Sequence, residues 1–254
     1  MARDNEFAGR VVVVTGGAGA GIGGAACRRF AELGAAIAVV DEHGPRADRV
    51  AAGLNEEFGV ATCSVALDVA DRSAVDAGLE AIRRQLGDID ILVNNAAINT
   101  QGSIFDYDPD VFERVLAVDL TACFYLTRMV LPAMRDRSWG RIVNVSSVAA
   151  YLGGNGREPA YSVAKAGLNE LTRAVAVEGG PHGIRCNAVA PGLVNSKWVD
   201  KQRERYDTFL DATPLRRHAE PVDVANTIVF LCSDESAHIT GEIVNVSGGW
   251  YLHP

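Results

Sequence analysis

The sequence predicts an α/β fold of the doubly wound kind: a seven-stranded parallel sheet flanked by helices on both faces. Three observations carry that expectation. Apolar β-branched runs alternate with helix-period segments along the whole chain, the runs are apolar throughout rather than at every second position, and the first run opens into a glycine-rich turn. Continuously apolar strands belong in a sheet covered on both faces. Strand–helix alternation then requires right-handed crossovers, which build the doubly wound arrangement.

Val11-Val12-Val13-Val14 is too short and too β-branched to favour a helix, and it stops at glycines. Later strand-like runs cover 35–40, 60–67, 89–93, 141–145, 184–189 and 243–246, and helical periodicity covers 22–33, 46–58, 72–86, 110–135, 160–178 and 221–232. No Pro/Ser-rich linker, charge block or repeat divides the chain, so 1–254 reads as one domain. The stretch 193–215 interrupts the alternation and is polar and charged. Insertions of that kind tend to cover a site or pack at a surface.

Composition narrows the function. Of 254 residues 48% are apolar and 22% charged, with a net charge of −8. Such a balance supports a sizeable core and argues against a nucleic-acid partner, which needs a basic stripe. Cys27, Cys63, Cys123, Cys186 and Cys232 are odd in number and widely spaced, which points to reduced thiols in a cytoplasmic protein. The five histidines form no ligand-spaced cluster, so no metal site is expected. Residues 1–10 carry charges of both signs without an apolar core, unlike a signal peptide, and no apolar run reads as membrane-spanning.

Thr15-Gly16-Gly17-Ala18-Gly19-Ala20-Gly21-Ile22-Gly23-Gly24 joins the first strand to the first helix. Glycines let backbone approach a pyrophosphate, and the helix N-terminus offers free N–H groups and a positive dipole end. Strand–turn–helix is the context a dinucleotide fingerprint requires, so a Rossmann-type site is expected here. Asp41 closes the second strand about twenty residues on, where an acidic residue takes the adenosine ribose hydroxyls. A carboxylate there repels a 2′-phosphate. With no cation immediately beside it, NAD is favoured over NADP; Arg46 is the nearest cation and weakens the preference.

These residues, with Asp68-Val69, Asn94-Asn95-Ala96-Ala97, Ser147, Tyr161-x-x-x-Lys165, Asn187, Pro191-Gly192 and Gly248-Gly249, resemble the short-chain dehydrogenase/reductase family over roughly 9–250. The resemblance implies that Gly16, Gly19, Gly21, Ile22 and Gly23 approach the phosphates, and that Asp68 and Val69 flank the adenine. It implies that Asn95, Ala96 and Ala97 support the sheet beside the cofactor, and that Pro191, Gly192, Val194 and Ser196 hold the nicotinamide carboxamide. Ser147, Tyr161 and Lys165 would be catalytic, with Lys165 also binding the nicotinamide ribose. It further implies a homotetramer, with contacts through the helices near 110–135 and 160–178 and the C-terminal segment.

Four departures from the family pattern stand out. The glycine loop is one residue longer, Ala97 replaces Gly, the Ser147-to-Tyr161 interval is one residue longer, and Asp119 replaces a catalytic Asn. In the family that Asn position kinks its helix and acts through its backbone carbonyl, a role Asp119 can keep.

The chemistry follows from spacing. Tyr161 and Lys165 are four apart on a helix and share a face. A phenol titrates near ~10, and a neighbouring ammonium lowers that value. Tyr161 can then exchange a proton with an alcohol or ketone while Ser147 donates to the oxygen that gains charge. A carboxylate at Asp119 should oppose the lysine and raise the phenol, so Asp119→Asn should lower the pH optimum.

The expected function is NAD-dependent interconversion of a secondary alcohol and a ketone. The alternatives are an NADPH-dependent 3-oxoacyl-[acyl-carrier-protein] reductase and a non-catalytic NAD-binding regulatory protein. Asn99, Gln101, Ala149, Tyr151, Asn155, Arg157, Trp198 and Tyr206 are candidate pocket residues. Their aromatic and amide groups suit a cyclic or hydroxylated small alcohol better than a long acyl chain.

Overall fold

The structure, a computed structural model, describes residues 5–195 and 207–252, except for the side chain of Asn155. Seven parallel strands form one sheet in the order β3-β2-β1-β4-β5-β6-β7. They are β1 (Val11–Thr15), β2 (Ala36–Asp41), β3 (Thr62–Ala66), β4 (Ile91–Asn94), β5 (Gly140–Val145), β6 (Ile184–Pro191) and β7 (Ile243–Val246). The order reverses between β1 and β4, and the crevice outside the strand carboxyl ends at such a reversal is where doubly wound sheets bind ligands.

The helices are α1 (Ile22–Glu32), α2 (Gly44–Phe58), α3 (Arg72–Leu86), α4 (Pro109–Leu116), α5 (Ala122–Asp136), α6 (Pro159–Gly179) and α7 (Pro221–Cys232). Two apolar clusters sandwich the sheet. One joins α1, α2 and α7 to strand residues such as Val12, Val14, Val39 and Val143. The other joins α3 and α5 to Val13, Ala38, Leu92 and Ile142. Consecutive strand residues thus serve opposite faces, which is why the strands read as unbroken apolar runs. All five cysteines are free and buried.

Local chemistry sets the ends of the elements. Asp71 caps α3 by accepting from the amides of Ser73 and Ala74. Pro45 opens α2 and Gly59 closes it at φ 68°. Expected boundaries fall within one or two residues of those seen, except in two places. The 110–135 helix is two helices, α4 and α5, joined by a π turn over Ala117–Thr121. The Ser147–Tyr161 interval carries short 3₁₀ turns at Val148–Ala150 and Gly153–Gly156. Gly153, Gly154 and Gly156 all adopt positive φ, so the extra residue of that interval sits in a turn glycine permits.

One expectation needs correction. The continuous helix Pro109–Asp136 is long and apolar enough, by length and composition, to cross a membrane. Asp119 and Arg128 interrupt its apolar middle, so the sequence shows no unbroken apolar run there. Val118, Ala122, Leu126, Val130 and Met134 are buried against the sheet, which accounts for its apolar character.

Below the carboxyl edge lies a buried polar ladder. Asn94 Nδ2 donates to Asn144 Oδ1 at 2.8 Å across the β4–β5 register, and Asn144 Nδ2 donates to Thr172 Oγ1 of α6 at 2.9 Å. Replacing Asn144 with Ala strips the Asn94 amide of its short partner. The expected loss is about 2 kcal/mol of stability, read from the midpoint of urea denaturation.

Candidate active site

The glycine loop separates into two kinds of glycine. A Cβ on Gly23 would lie 2.4 Å from the Gly16 carbonyl oxygen and 2.5 Å from Asn95 Nδ2, and one on Gly24 would lie 2.1 Å from the Gly19 oxygen. Gly16, at φ 64°, abuts Asn95 and Ala96. These three glycines let the loop fold against α1 and the β4 end. Gly21 is the N-cap of α1, has no side-chain cap, and a Cβ there meets nothing within 4 Å. Gly19 is almost as open, with Gly21 N at 3.7 Å. The lengthened loop therefore presents an uncapped helix N-terminus behind Gly19 and Gly21, with Ile22 as the first helical residue. The arrangement fits an anionic pyrophosphate.

Thr15 and Asn95 tie the loop to the sheet. Thr15 Oγ1 accepts from the amides of Asn95 at 2.9 Å and Ala96 at 3.0 Å. Asn95 Nδ2 donates to the carbonyls of Thr15 at 2.9 Å and Gly16 at 3.2 Å. Sequence reasoning passed over the part played by Thr15, although a hydroxyl ending a buried valine run signals a local acceptor. Ala97 lines the neighbouring cleft beside Ala96.

That cleft runs along the ends of β1 to β4 and is lined by Gly16, Gly19, Asp41, Asp68, Val69, Ala96 and Ile98, among others. Asp41 Oδ2 accepts from Ala18 N at 3.1 Å and Oδ1 from His43 N at 3.0 Å, so backbone donors fix the carboxylate at one end of the cleft. Arg46 stands 3.7 Å from Asp41 Oδ1. Asp68 pairs with Arg114 of α4 at 2.7 Å, a contact the sequence did not announce.

Farther along the carboxyl edge, Ser147 follows β5, and Tyr161 and Lys165 stand on α6. Ser147 is extended, its Oγ accepts from Ala149 N at 3.1 Å, and its hydroxyl favours the ionised form of the nearby Tyr161 phenol. Lys165 is 2% exposed, its Nζ lies 5.3 Å from the Tyr161 ring centre, and it donates to the Val145 carbonyl at 3.0 Å. Enclosure pushes the Tyr161 phenol above its usual range; Lys165 pulls it back down, and Asp119 adds to the rise.

Asp119 completes the group. The π turn bonds Ala122 N–H to the Ala117 carbonyl, five residues back, and widens the helix there. Asp119 is fully buried, with Oδ1 accepting from Ile98 N at 2.9 Å and Oδ2 3.5 Å from Lys165 Nζ. Burial raises the Asp119 carboxyl, opposed by Lys165 and the Ile98 amide. Burial alone would depress the Lys165 ammonium, but Asp119, Tyr161 and Cys123 together outweigh it and the net direction is upward.

Pro191 ends β6 and Gly192 packs against Ser247, where a Cβ would lie 3.1 Å from Ser247 Cα. Val194 bridges to Ala219. Asn187 ties β6 to the approach to β7, donating to the Ile239 carbonyl and accepting from Glu242 N. Asn99 and Gln101 both donate to Glu158 Oε1, at 3.0 and 3.2 Å, and Tyr151 stacks on Tyr251 at 4.8 Å. Ala149 is buried beside Ser147, and Arg157 is exposed with its carbonyl accepting from Gly102 N. Ser196, Trp198, Tyr206 and the Asn155 side chain lie outside the described residues.

A cleft along the strand ends and a Ser–Tyr–Lys group share one edge of a doubly wound sheet, and the chain belongs to the short-chain dehydrogenase/reductase family and is a nicotinamide-dependent oxidoreductase. The sequence model described as Enoyl-(Acyl carrier protein) reductase matches residues 17–251. Over 243 residues, 94% of this chain and 92% of the relative, it is 40% identical to the (5R,7aS)-5-hydroxy-7a-methyl-1-oxo-2,3,5,6,7,7a-hexahydro-1H-indene-carboxyl-CoA reductase of Mycobacterium tuberculosis. A 3-oxoacyl-[acyl-carrier protein] reductase with bound NAD from Brucella melitensis superposes with TM-score 0.92 at 32% identity, covering 98% of this chain and 94% of that one. The L-sorbose reductase of Gluconobacter frateurii, complexed with NADPH and L-sorbose, gives TM-score 0.92 at 32% identity, covering 99% and 100%.

Replacing Asp119 with Leu leaves the Lys165 ammonium and the Ile98 amide buried without their carboxylate. The expected cost is about 3–5 kcal/mol, measurable as a lowered denaturation midpoint.

Proposed function

We propose that the protein interconverts a ketone and a secondary alcohol carried on an acyl thioester, with NAD(H) preferred over NADP(H). The observation that carries the redox part is the convergence of Ser147, Tyr161 and Lys165 beside a cleft that ends at a backbone-anchored Asp41. A nicotinamide dinucleotide supplies or accepts the hydride when bound. Gly19, Gly21 and the α1 N-terminus would hold its pyrophosphate, Asp41 the adenosine ribose, and Asp68 and Val69 the adenine. Pro191, Gly192, Val194 and Ser196 would hold the nicotinamide end.

The residues divide the remaining work. Tyr161 gives its hydroxyl proton to the oxygen of a ketone, or takes one from an alcohol in reverse. Ser147 donates to that same oxygen as charge develops on it. Lys165, held by Val145 and Asp119, keeps a positive charge near the phenol and favours its ionised form.

The thioester assignment is supported by the CoA-linked and carrier-protein-linked relatives, and it replaces the small-alcohol expectation as the leading reading. A free polyol remains the second reading, supported by the L-sorbose reductase likeness. NAD preference is supported by the anchored Asp41 carboxylate, which disfavours a 2′-phosphate, and Arg46 moderates it. We further propose a homotetramer, supported by an apolar groove between α5 and α6 that includes Leu131, Pro132 and Leu171, in the cytoplasm, supported by the free cysteines.

Steady-state assays over acyl-CoA and acyl-carrier-protein ketones, free diols and sugars, with either cofactor, test the reading. Thioesters are expected to react best; activity confined to free sugars would refute that class. NAD(H) is expected to exceed NADP(H), and Asp41→Ala to shrink the ratio by roughly tenfold, about 1.4 kcal/mol of discrimination. Tyr161→Phe is expected to lower turnover by roughly 10²–10⁴ while sparing dinucleotide binding. Unchanged turnover in that variant would remove Tyr161 from the proton transfer, whereas dinucleotide binding without turnover in the wild type would favour a regulatory protein.

A further inference from the structure

We propose that Asp119 is a positioning residue that keeps Tyr161 in its proton-donating form at neutral pH, biasing the enzyme toward ketone reduction. The inference rests on the reading of Tyr161 as the proton-transfer group. Its basis is geometric. The π turn aims a fully buried carboxylate at Lys165, which faces the phenol. Oδ1 is satisfied by the Ile98 amide, whereas among the described residues Oδ2 meets no hydrogen-bond donor and lies 3.5 Å from the ammonium. In so dry a place an unscreened pair acts strongly on its surroundings.

The charge balance around the phenol then differs from that of a lone lysine. Lys165 from α6 contributes +1 and Asp119 from the π turn −1. Among the described residues, the other groups facing the trio add no cation. Cys123 of α5 has a thiol pushed up to about 12 by burial, so it stays neutral, and it donates to the Asp119 carbonyl. Glu158, just before α6, adds negative charge, and the Ser147 hydroxyl is neutral. With the pair near zero net charge, the phenolate loses much of the support a lysine alone would give.

A phenol that holds its proton to higher pH remains an acid over a wider range, so the alkaline fall of the reductive rate moves up. The base form needed for alcohol oxidation appears only at higher pH. The enzyme cannot alter the overall equilibrium; Asp119 changes the pH at which each direction runs well.

The test measures kcat/KM against pH in both directions for wild type, Asp119→Asn and Asp119→Ser, with thermal melting as the fold control. Asn keeps an oxygen able to accept from Ile98, and both substitutions remove the charge. The expected result is that both limbs move to lower pH, by about 1 or more on the pH scale. Where a profile slopes, a limb displaced by about 1 on that scale changes the rate roughly tenfold, so alkaline reduction falls and near-neutral oxidation rises by that factor. An ultraviolet difference titration of each protein against its Tyr161→Phe counterpart should show the phenol titrating earlier once Asp119 is neutralised. Limbs and titration left in place, or moved upward, in a folded variant overturn the proposal. So does loss of rate without a limb displacement, which is what a purely structural role predicts. Tyr161→Phe separates the two levels: a limb that survives it sinks the catalytic reading, whereas a limb that needs Tyr161 but ignores Asp119 sinks this inference alone.

Discussion

A polar group sealed beneath a parallel sheet must find a partner among its neighbours, and this constraint organises the carboxyl edge. Thr15 and Asn95 satisfy each other's backbone across the β1–β4 reversal. Asn94, Asn144 and Thr172 carry the same logic from β4 through β5 into α6. Ser146 bonds Asn169 at 2.6 Å, fixing α6 to the end of β5 one turn beyond Lys165. Unpaired, each of these groups would cost more than its bond contributes, so the network holds the edge in one arrangement. The cleft and the Tyr161 group are therefore parts of one rigid floor.

The Asp119–Lys165 pair sits differently in this scheme. It is an ion pair taken wholly out of water, and such pairs rarely add net stability. Removing either partner is costly all the same, because the other is left charged and buried. A helix that widens by one residue to place a carboxylate here accepts poorer backbone geometry for a particular charge arrangement.

Much of this was legible beforehand because periodicity reports burial directly. Val11–Thr15 is apolar at nearly every position, since both faces are covered, and no other element type accounts for so short a β-branched run. Asp41 was readable from its distance to the glycines. The π turn was not, because Ala117–Thr121 has ordinary helical composition and the extra residue is dictated by what α6 and the β4 loop present to it. Nor could spacing sort the glycines: Gly21 and Gly23 are alike in sequence, and only the proximity of Asn95 and Gly16 separates an open position from a filled one. Contacts such as Arg114 with Asp68 or Asn99 with Glu158 join residues 46 and 59 positions apart, beyond any local pattern.

The cysteines have a practical corollary. Burial drives all five thiols above their ordinary value, leaving almost no reactive thiolate in the folded chain. An alkylating reagent would therefore label only molecules that have opened. Because the five are spread over both faces of the sheet, the order in which they become labelled would map which layer loosens first.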